Sequence, residues 1–360
     1  MKLPRNIQLW LPGYCRARWW DWTHPRPAAC RIWLLLADHF EPLFQRPELP
    51  VARARVAAWE QAWPAIAGRH RDSAGRRPKY TFFFPQEEYR PEFLDPLARM
   101  TQDGIGDVEV HIHHDGEGER DFLDRMHGFI DVLVKRHGLL RRQDGRTIFA
   151  FIHGNWALDN SRPDGRWCGL NNEITLLREL GCYADYSMPS GISDTQSRTL
   201  NTIMWVTDDP QRPKSYDSGV AVRPGQPGSG DLLMIPGPMG WRYGERLLPR
   251  IECGELAHQD LITPYRIRRL FDLAPRIGGD IFLKLHAHGA NDLNLRAMLG
   301  PGGLDHLFTC VAEESRRRRW QWYTASAWEM RQAVDAAARG ENAVEALKLM
   351  QPGNGKPTLA

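Results

Sequence analysis

Arg31-Ile32-Trp33-Leu34-Leu35-Leu36-Ala37-Asp38-His39 is an apolar run of strand length that ends on a polar pair, with Glu41 just beyond it. A short continuous apolar run bounded in this way reads as a strand buried on both faces of a parallel sheet. The theme recurs down the chain. Lys79–Phe84, Asp107–Ile112, Arg146–Ile152, Cys182–Ser187, Asp231–Ile235, Asp280–Leu285 and Trp320–Tyr323 are predicted strands, and Thr202–Val206 is a further piece that the pattern leaves undecided. Amphipathic helices are predicted between most of them. Phe122, Met126, Phe129, Ile130 and Leu133 recur at helical spacing within Glu119–Leu139. Thr263 before Pro264 opens another helix, Asn171 and Gly181 bracket a short one, and Ser326 with Glu329 forms a capping box for a last one ending at Gly340.

Alternating strands and helices imply right-handed crossovers and a parallel α/β sheet. Seven or eight such units predict closure into a (β/α) barrel, with a doubly wound open sheet as the runner-up. No glycine-rich phosphate loop follows any predicted strand, which weakens nucleotide-binding versions of the open sheet. The organisation expected is an irregular N-terminal strap over 1–30, a single barrel domain over 31–340 with a Pro/Gly-rich insertion near 207–230, and a tail over 341–360. A long insertion of this kind is either a lid or a surface excursion without catalytic importance.

Composition narrows the function classes. The chain has 360 residues, 47 Lys+Arg against 44 Asp+Glu and a net charge of +3, so no extended basic face for nucleic acid is expected. The run Arg316 to Arg319 follows Glu313 and Glu314 and reads as a solvated helix end. No apolar run approaches membrane-spanning length and no signal-peptide pattern is evident, so the expectation is a cytoplasmic protein without an integral membrane segment. Six scattered cysteines with no Cys-x-x-Cys pair suit free thiols, which leaves His and carboxylate to hold any metal.

The unusual polar residues share one position. Asp38, His39 and Glu41 follow the first strand, His111, His113, His114 and Asp115 end the third, and His153, Asn155 and Trp156 follow the fourth. Asp185 ends the fifth, and His286 and His288 close the strand that begins at Asp280. In a parallel barrel the C-terminal ends of the strands form the face that carries active sites. In His111-Ile112-His113 the strand period sends both imidazoles to one face and Val108, Val110 and Ile112 to the other. Two imidazoles with a carboxylate from another strand suit zinc or a similar divalent ion. His114 falls on the opposite face unless the chain bends, and Asp115 is the other candidate to complete the set. Asp185 and Asn155 either orient the histidines or make ordinary strand-end hydrogen bonds.

At these residues the chain resembles the polysaccharide deacetylase, or NodB-homology, family, over roughly residues 31–335. Leu35-Leu36-Ala37-Asp38-His39 stands where the family has a strand ending in Asp-Asp, and Val108-Glu109-Val110-His111-Ile112-His113 resembles its metal-binding histidine motif. Ile152-His153-Gly154-Asn155-Trp156 occupies the place of an Arg-x-Pro-Tyr motif, whose Arg and Pro are missing, and Lys284-Leu285-His286-Ala287-His288 resembles the last motif, with its acid histidine. The resemblance implies a distorted (β/α) barrel and removal of an N-acyl, normally acetyl, group from a sugar of a polysaccharide or its precursor. It implies a divalent metal, zinc first, with cobalt, nickel or manganese as the other choices. Asp38 would be base or ligand, with His39, His111 and His113 as ligands, His286 as general acid and His288 second to it. Because the second acid of the Asp-Asp pair is His39 here, either His39 takes the metal or Asp38 does, with Glu41 then available as base. Two other classes stay open. One is a glycoside hydrolase using Asp38 or Glu41 with Asp185, and the other is a non-catalytic carbohydrate-binding or assembly protein. The pattern is silent on oligomeric state.

Overall fold

The computed structural model describes residues 4–243 and 249–348. Its strands are β1 (Arg31–His39), β2 (Tyr80–Pro85), β3 (Gly106–Ile112), β4 (Arg141–Gln143), β5 (Arg146–His153), β6 (Cys182–Asp185), β7 (Met204–Val206), β8 (Val220–Ala221), β9 (Leu232–Met234), β10 (Gly240–Tyr243), β11 (Pro249–Glu252), β12 (Glu255–Leu256), β13 (Arg276–Ile277), β14 (Asp280–Ala287) and β15 (Gln321–Thr324). The helices are α1 (Ile7–Thr23), α2 (Leu49–Arg69), α3 (Pro91–Gln102), α4 (Glu119–Lys135), α5 (Glu173–Leu180), α6 (Pro264–Leu273), α7 (Asp292–Leu299), α8 (Leu304–Arg318), α9 (Ala327–Ala338) and α10 (Ala343–Lys348). Residues 349–360 of the expected tail lie outside the described residues.

A mostly parallel sheet runs β12-β14-β1-β2-β3-β5-β6-β9-β7-β8. β1 is its pivot. It pairs in parallel with β14 over Arg31 to Asp38, with β15 over Arg31 to Leu34, and with β2 over Ala37 to His39. The parallel order continues through β3, β5, β6 and β9; within this sheet the antiparallel pairings among the described residues involve β7, β8 and the short β4 and β13, and β10 and β11 form a separate antiparallel pair. Among the described residues no ladder joins β12 to β8, so strand pairing does not close the sheet. The predicted insertion supplies β8, which with β7 extends the β9 edge.

Two cores follow from the period of two along β1. Ile32, Leu34 and Leu36 enter the core beneath α2 to α8, while Trp33, Leu35 and Ala37 enter a second core with Phe83, Ile152, Tyr186 and Phe282. α9 covers this inner face with Ala327, Met330, Ala333, Val334 and Ala337. Its start is the predicted capping box: Glu329 N–H donates to Ser326 Oγ at 3.3 Å and Ser326 N–H to Glu329 Oε2 at 2.9 Å. Ser326→Ala is expected to cost about 1 kcal/mol, read as a lowered urea midpoint at unchanged m-value; an unchanged midpoint would show that the box contributes nothing.

The N-terminal strap is a correction. Residues 7–23 form α1 although they carry no apolar stripe and include Pro12. The helix is held by tertiary contact that periodicity does not report. Trp10 is buried with Leu200 and Met239, and Gly13 lies so close to Arg198 that an added Cβ would sit 2.1 Å from its carbonyl oxygen. Trp241 of β10 packs on Trp10 with ring centroids 5.1 Å apart. The arginine run ends α8, where Arg317 and Arg318 both pair with Glu314. Among the described residues no helix is long and apolar enough to cross a membrane, and all six cysteines are free.

Candidate metal centre

Strand register assembles the site. Ala37 pairs with His286, Pro85 with His111, and Ile112 with His153, so the polar ends of β14, β1, β2, β3 and β5 lie side by side. The alternation along β1 then separates Asp38 from His39. Asp38 follows the outer set, and its carboxylate accepts from Gly289 N–H at 2.7 Å and Tyr80 Oη–H at 2.9 Å. A Cβ on Gly289 would lie 2.2 Å from that carboxylate and 2.6 Å from Trp59, so only glycine permits the arrangement. Burial pushes the Asp38 carboxyl up to about 6, against the lowering by these two donors. Of the two alternatives, Asp38 as the ligand is corrected: neighbours on a strand face opposite ways, and it is His39, not Asp38, that groups with Glu41 and His111.

On the inner face, His39, Glu41 and His111 converge and are buried, with one potential ligand atom from each lying within 4.8 Å of the others. His111 Nδ1 contacts Ile152 O at 2.7 Å, which places the N–H there and turns Nε2 toward Glu41 Oε1 at 3.4 Å. His113 repeats the design nearer solvent: Nδ1 hydrogen-bonds Glu87, and Nε2 is 3.6 Å from the same Glu41 oxygen. His39 Nε2 is buried without a hydrogen-bond partner. Its ring stacks on His288 at 4.7 Å and lies 5.0 Å from His111.

Electrostatics sort these rings. Burial, reinforced by His288, His111, His286 and Lys284, holds His39 well below its ordinary range, so it is a neutral donor of a lone pair. Burial would raise Glu41, yet the contacts with His111 and the neighbouring imidazoles outweigh it and lower the carboxyl overall. His113 is raised overall because Glu87, Glu41 and Glu88 outweigh its burial.

His286 lies on the inner face of β14, 6.4 Å from His39 between ring centroids, with Nδ1 buried and unpartnered. Burial, with Lys284 and His288, holds it well below the ordinary imidazole value, so it is uncharged at neutral pH and a poor proton store. It also groups with Cys253 and Glu255. Trp156 stands 5.7 Å from His39 and 5.9 Å from His288, with Asn155 beside it in a left-handed turn. Asp185 joins no histidine side chain: both its oxygens accept from Ser187, whose Oγ accepts from His153 N–H at 2.8 Å. His114 and His153 turn away into a separate buried group with Cys168 and Glu173. Asp115 accepts from Trp167 N–H at 2.8 Å.

Sequence reasoning passed over Glu87 and Glu88, although both follow β2 at the strand-end position that flagged the histidines. Glu88 is pushed up to about 8 by burial and the Glu41 and Glu87 charges, against the Leu43 N–H it accepts. No protein-family model, curated protein or solved structure matches this chain.

Proposed function

We propose that the protein is a metal-dependent hydrolase that removes an N-acyl group, acetyl in the first instance, from a sugar of a polysaccharide or its precursor. The observation that carries this reading is the convergence of His39, His111 and Glu41 on one point, with the His111 N–H engaged outward on Ile152 O as a metal-bound imidazole requires. The donor set of two imidazoles and a carboxylate fits zinc, with cobalt, nickel and manganese as the other divalent choices. The mostly parallel sheet is read as a distorted (β/α) barrel, supported by Lys284 of β14, which reaches Tyr186 O and Met188 O beyond β6.

When bound, the ion supplies a Lewis acid for the acyl carbonyl and lowers the pKa of a water. His39, Glu41 and His111 would hold it. His113 takes the proton-carrying role rather than that of a ligand, because Glu87 engages its Nδ1 and the ring lies nearer solvent than His111. Its side chain is 32% exposed, against 0% for His111, so it meets the substrate first. Glu87 fixes that ring through Nδ1, leaving Nε2–H to protonate the departing amine. Trp156 and His288 flank the mouth, where an aromatic face suits the C–H face of a pyranose and sheds water.

The test is elemental analysis of wild type and His39→Ala/His111→Ala, followed by acetate release from N-acetylated amino sugars and their oligomers. The double variant is expected to bind one ion fewer while staying folded. Glu87→Gln is expected to slow acetate release by roughly a hundredfold with metal retained. Equal metal in wild type and double variant after reconstitution, or no acetate release by metal-loaded wild type, overturns the proposal.

A further inference from the structure

The connection from β5 to α5 spans residues 154–172 without a strand or α-helix, yet Ala157, Leu158, Asp159, Ser161 and Cys168 within it are buried. Asn155, Trp156, Asp159, Asn160 and Trp167 all have φ between 48° and 68°, a left-handed conformation that costs non-glycine residues about 1 kcal/mol or more each. This segment wraps a polar centre. His114 enters from the end of β3, His153 from the end of β5, Cys168 from the connection, and Glu173 from the first turn of α5.

The four potential ligand atoms lie within 4.8 Å of one another, and the side chains of His114, His153 and Glu173 have no solvent exposure. His153 Nε2 is 2.9 Å from His114 Nε2 and 3.3 Å from Glu173 Oε1, and His114 Nε2 is 3.1 Å from the same oxygen. Cys168 Sγ is 3.3 Å from Glu173 Oε2. His153 Nδ1 faces Gly154 O at 2.5 Å, which places its N–H there and leaves Nε2 as a lone pair. Two acceptors, His153 Nε2 and Glu173 Oε1, therefore face His114 Nε2, which with neutral rings can supply only one proton between them. A cation relieves that conflict. Zinc bound at about 2.0–2.1 Å to nitrogen makes a tetrahedron with edges of about 3.3 Å, close to the separations seen.

We propose that His114, His153, Cys168 and Glu173 form a second, structural metal site, for which two imidazoles, a thiolate and a carboxylate select zinc. Binding releases the Cys168 thiol proton and leaves a neutral site, as a fully buried centre requires. Four protein ligands with no open position mark it as structural rather than catalytic. It would pin Asn155 and Trp156 beside His39 and hold Gly154 under His113, where an added Cβ would lie 2.4 Å from the ring. The site is separate from His39, Glu41 and His111, and the inference does not rest on the proposed hydrolase activity.

The probe is cobalt(II), incorporated into the full chain by expression in cobalt-supplemented medium. The expected result is a thiolate-to-cobalt charge-transfer band in the near ultraviolet with the visible bands of tetrahedral cobalt. Both should persist in His39→Ala/His111→Ala and in Cys253→Ser, and the charge-transfer band should vanish in Cys168→Ser. A folded wild type lacking the band, or a band that survives Cys168→Ser, overturns the proposal and leaves a hydrogen-bonded polar core. Should Cys168→Ser fail to fold, X-ray absorption on metal-loaded Cys253→Ser decides. A sulfur neighbour at about 2.3 Å supports the site, and a shell of nitrogen and oxygen alone overturns it.

Discussion

Replacing Asp38 is expected to split stability from metal binding. Asp38→Leu removes the acceptor of two donors, Gly289 N–H and Tyr80 Oη–H, both of them buried. An unmet buried donor costs about 1–3 kcal/mol, so the pair together costs roughly 2–6 kcal/mol. Asp38→Asn keeps the shape and one carbonyl oxygen for Gly289, while the tyrosine hydroxyl can accept from the new amide. Its loss is expected to be below about 1.5 kcal/mol. Both are read from urea midpoints at constant m-value. Metal content should match wild type in Asp38→Asn, because the carboxylate lies on the face of β1 away from His39. Loss of metal in that folded variant would restore Asp38 to the ligand set and sink the assignment to Glu41.

Lys284 is expected to make stability depend on alkaline pH. Its amine is buried in the interior and donates to Tyr186 O and Met188 O, two carbonyls for the two N–H groups of an uncharged amine. Burial lowers its pKa to about 7, against the opposing Asp185 and Cys253 charges, from an ordinary value of 10.5. Between those two values the unfolded chain holds a proton that the folded one does not, so this group's contribution rises with pH through that window. The slope reaches at most about 1.4 kcal/mol per pH unit. Other buried acids also titrate near pH 8, among them Glu88 and Asp159, each pushed up to about 8. The measurement is therefore the difference between wild type and Lys284→Met. The variant removes the partner of Tyr186 O, while Met188 O keeps Gly237 N–H, and it should be less stable at every pH above 7, by an amount that grows toward pH 10. A difference that stays flat with pH would show that Lys284 is charged in the folded protein.

Much of this arrangement is legible in the chain because it is local. Strand and helix types follow from short apolar runs and from the stripe Phe122, Met126, Phe129, Ile130 and Leu133, all of which pack in the outer core. The capping box, the Thr263 cap and the Gly181 terminus follow from residues adjacent in sequence, and each is present. The gathering of polar residues at strand ends follows from parallel pairing. The same positional rule, applied to β2, reaches Glu87 and Glu88.

What the chain does not disclose locally is side-chain direction beyond a strand's end and contact between distant segments. α1 has no stripe because only Trp10 and Gly13 are buried, and the segments they pack on lie about 185 residues or more away. Asp38 and His39 are equally plausible ligands as letters in a sequence. The pleat of β1 sends one to Tyr80 and Gly289 and the other to His111, a choice anchored by which face of Trp33 and Leu35 enters the inner core. His111 and His114 look alike in one run, yet the turn after β3 assigns them to different centres. Cys168 and Glu173, which carry no motif spacing toward His114 or His153, become neighbours only when the 154–172 connection folds back over β5. Local pattern thus sets the elements and the end of the sheet where chemistry gathers. The pairing of faces across long sequence separations sets which residues meet, because burial of one face of each strand leaves the other no freedom.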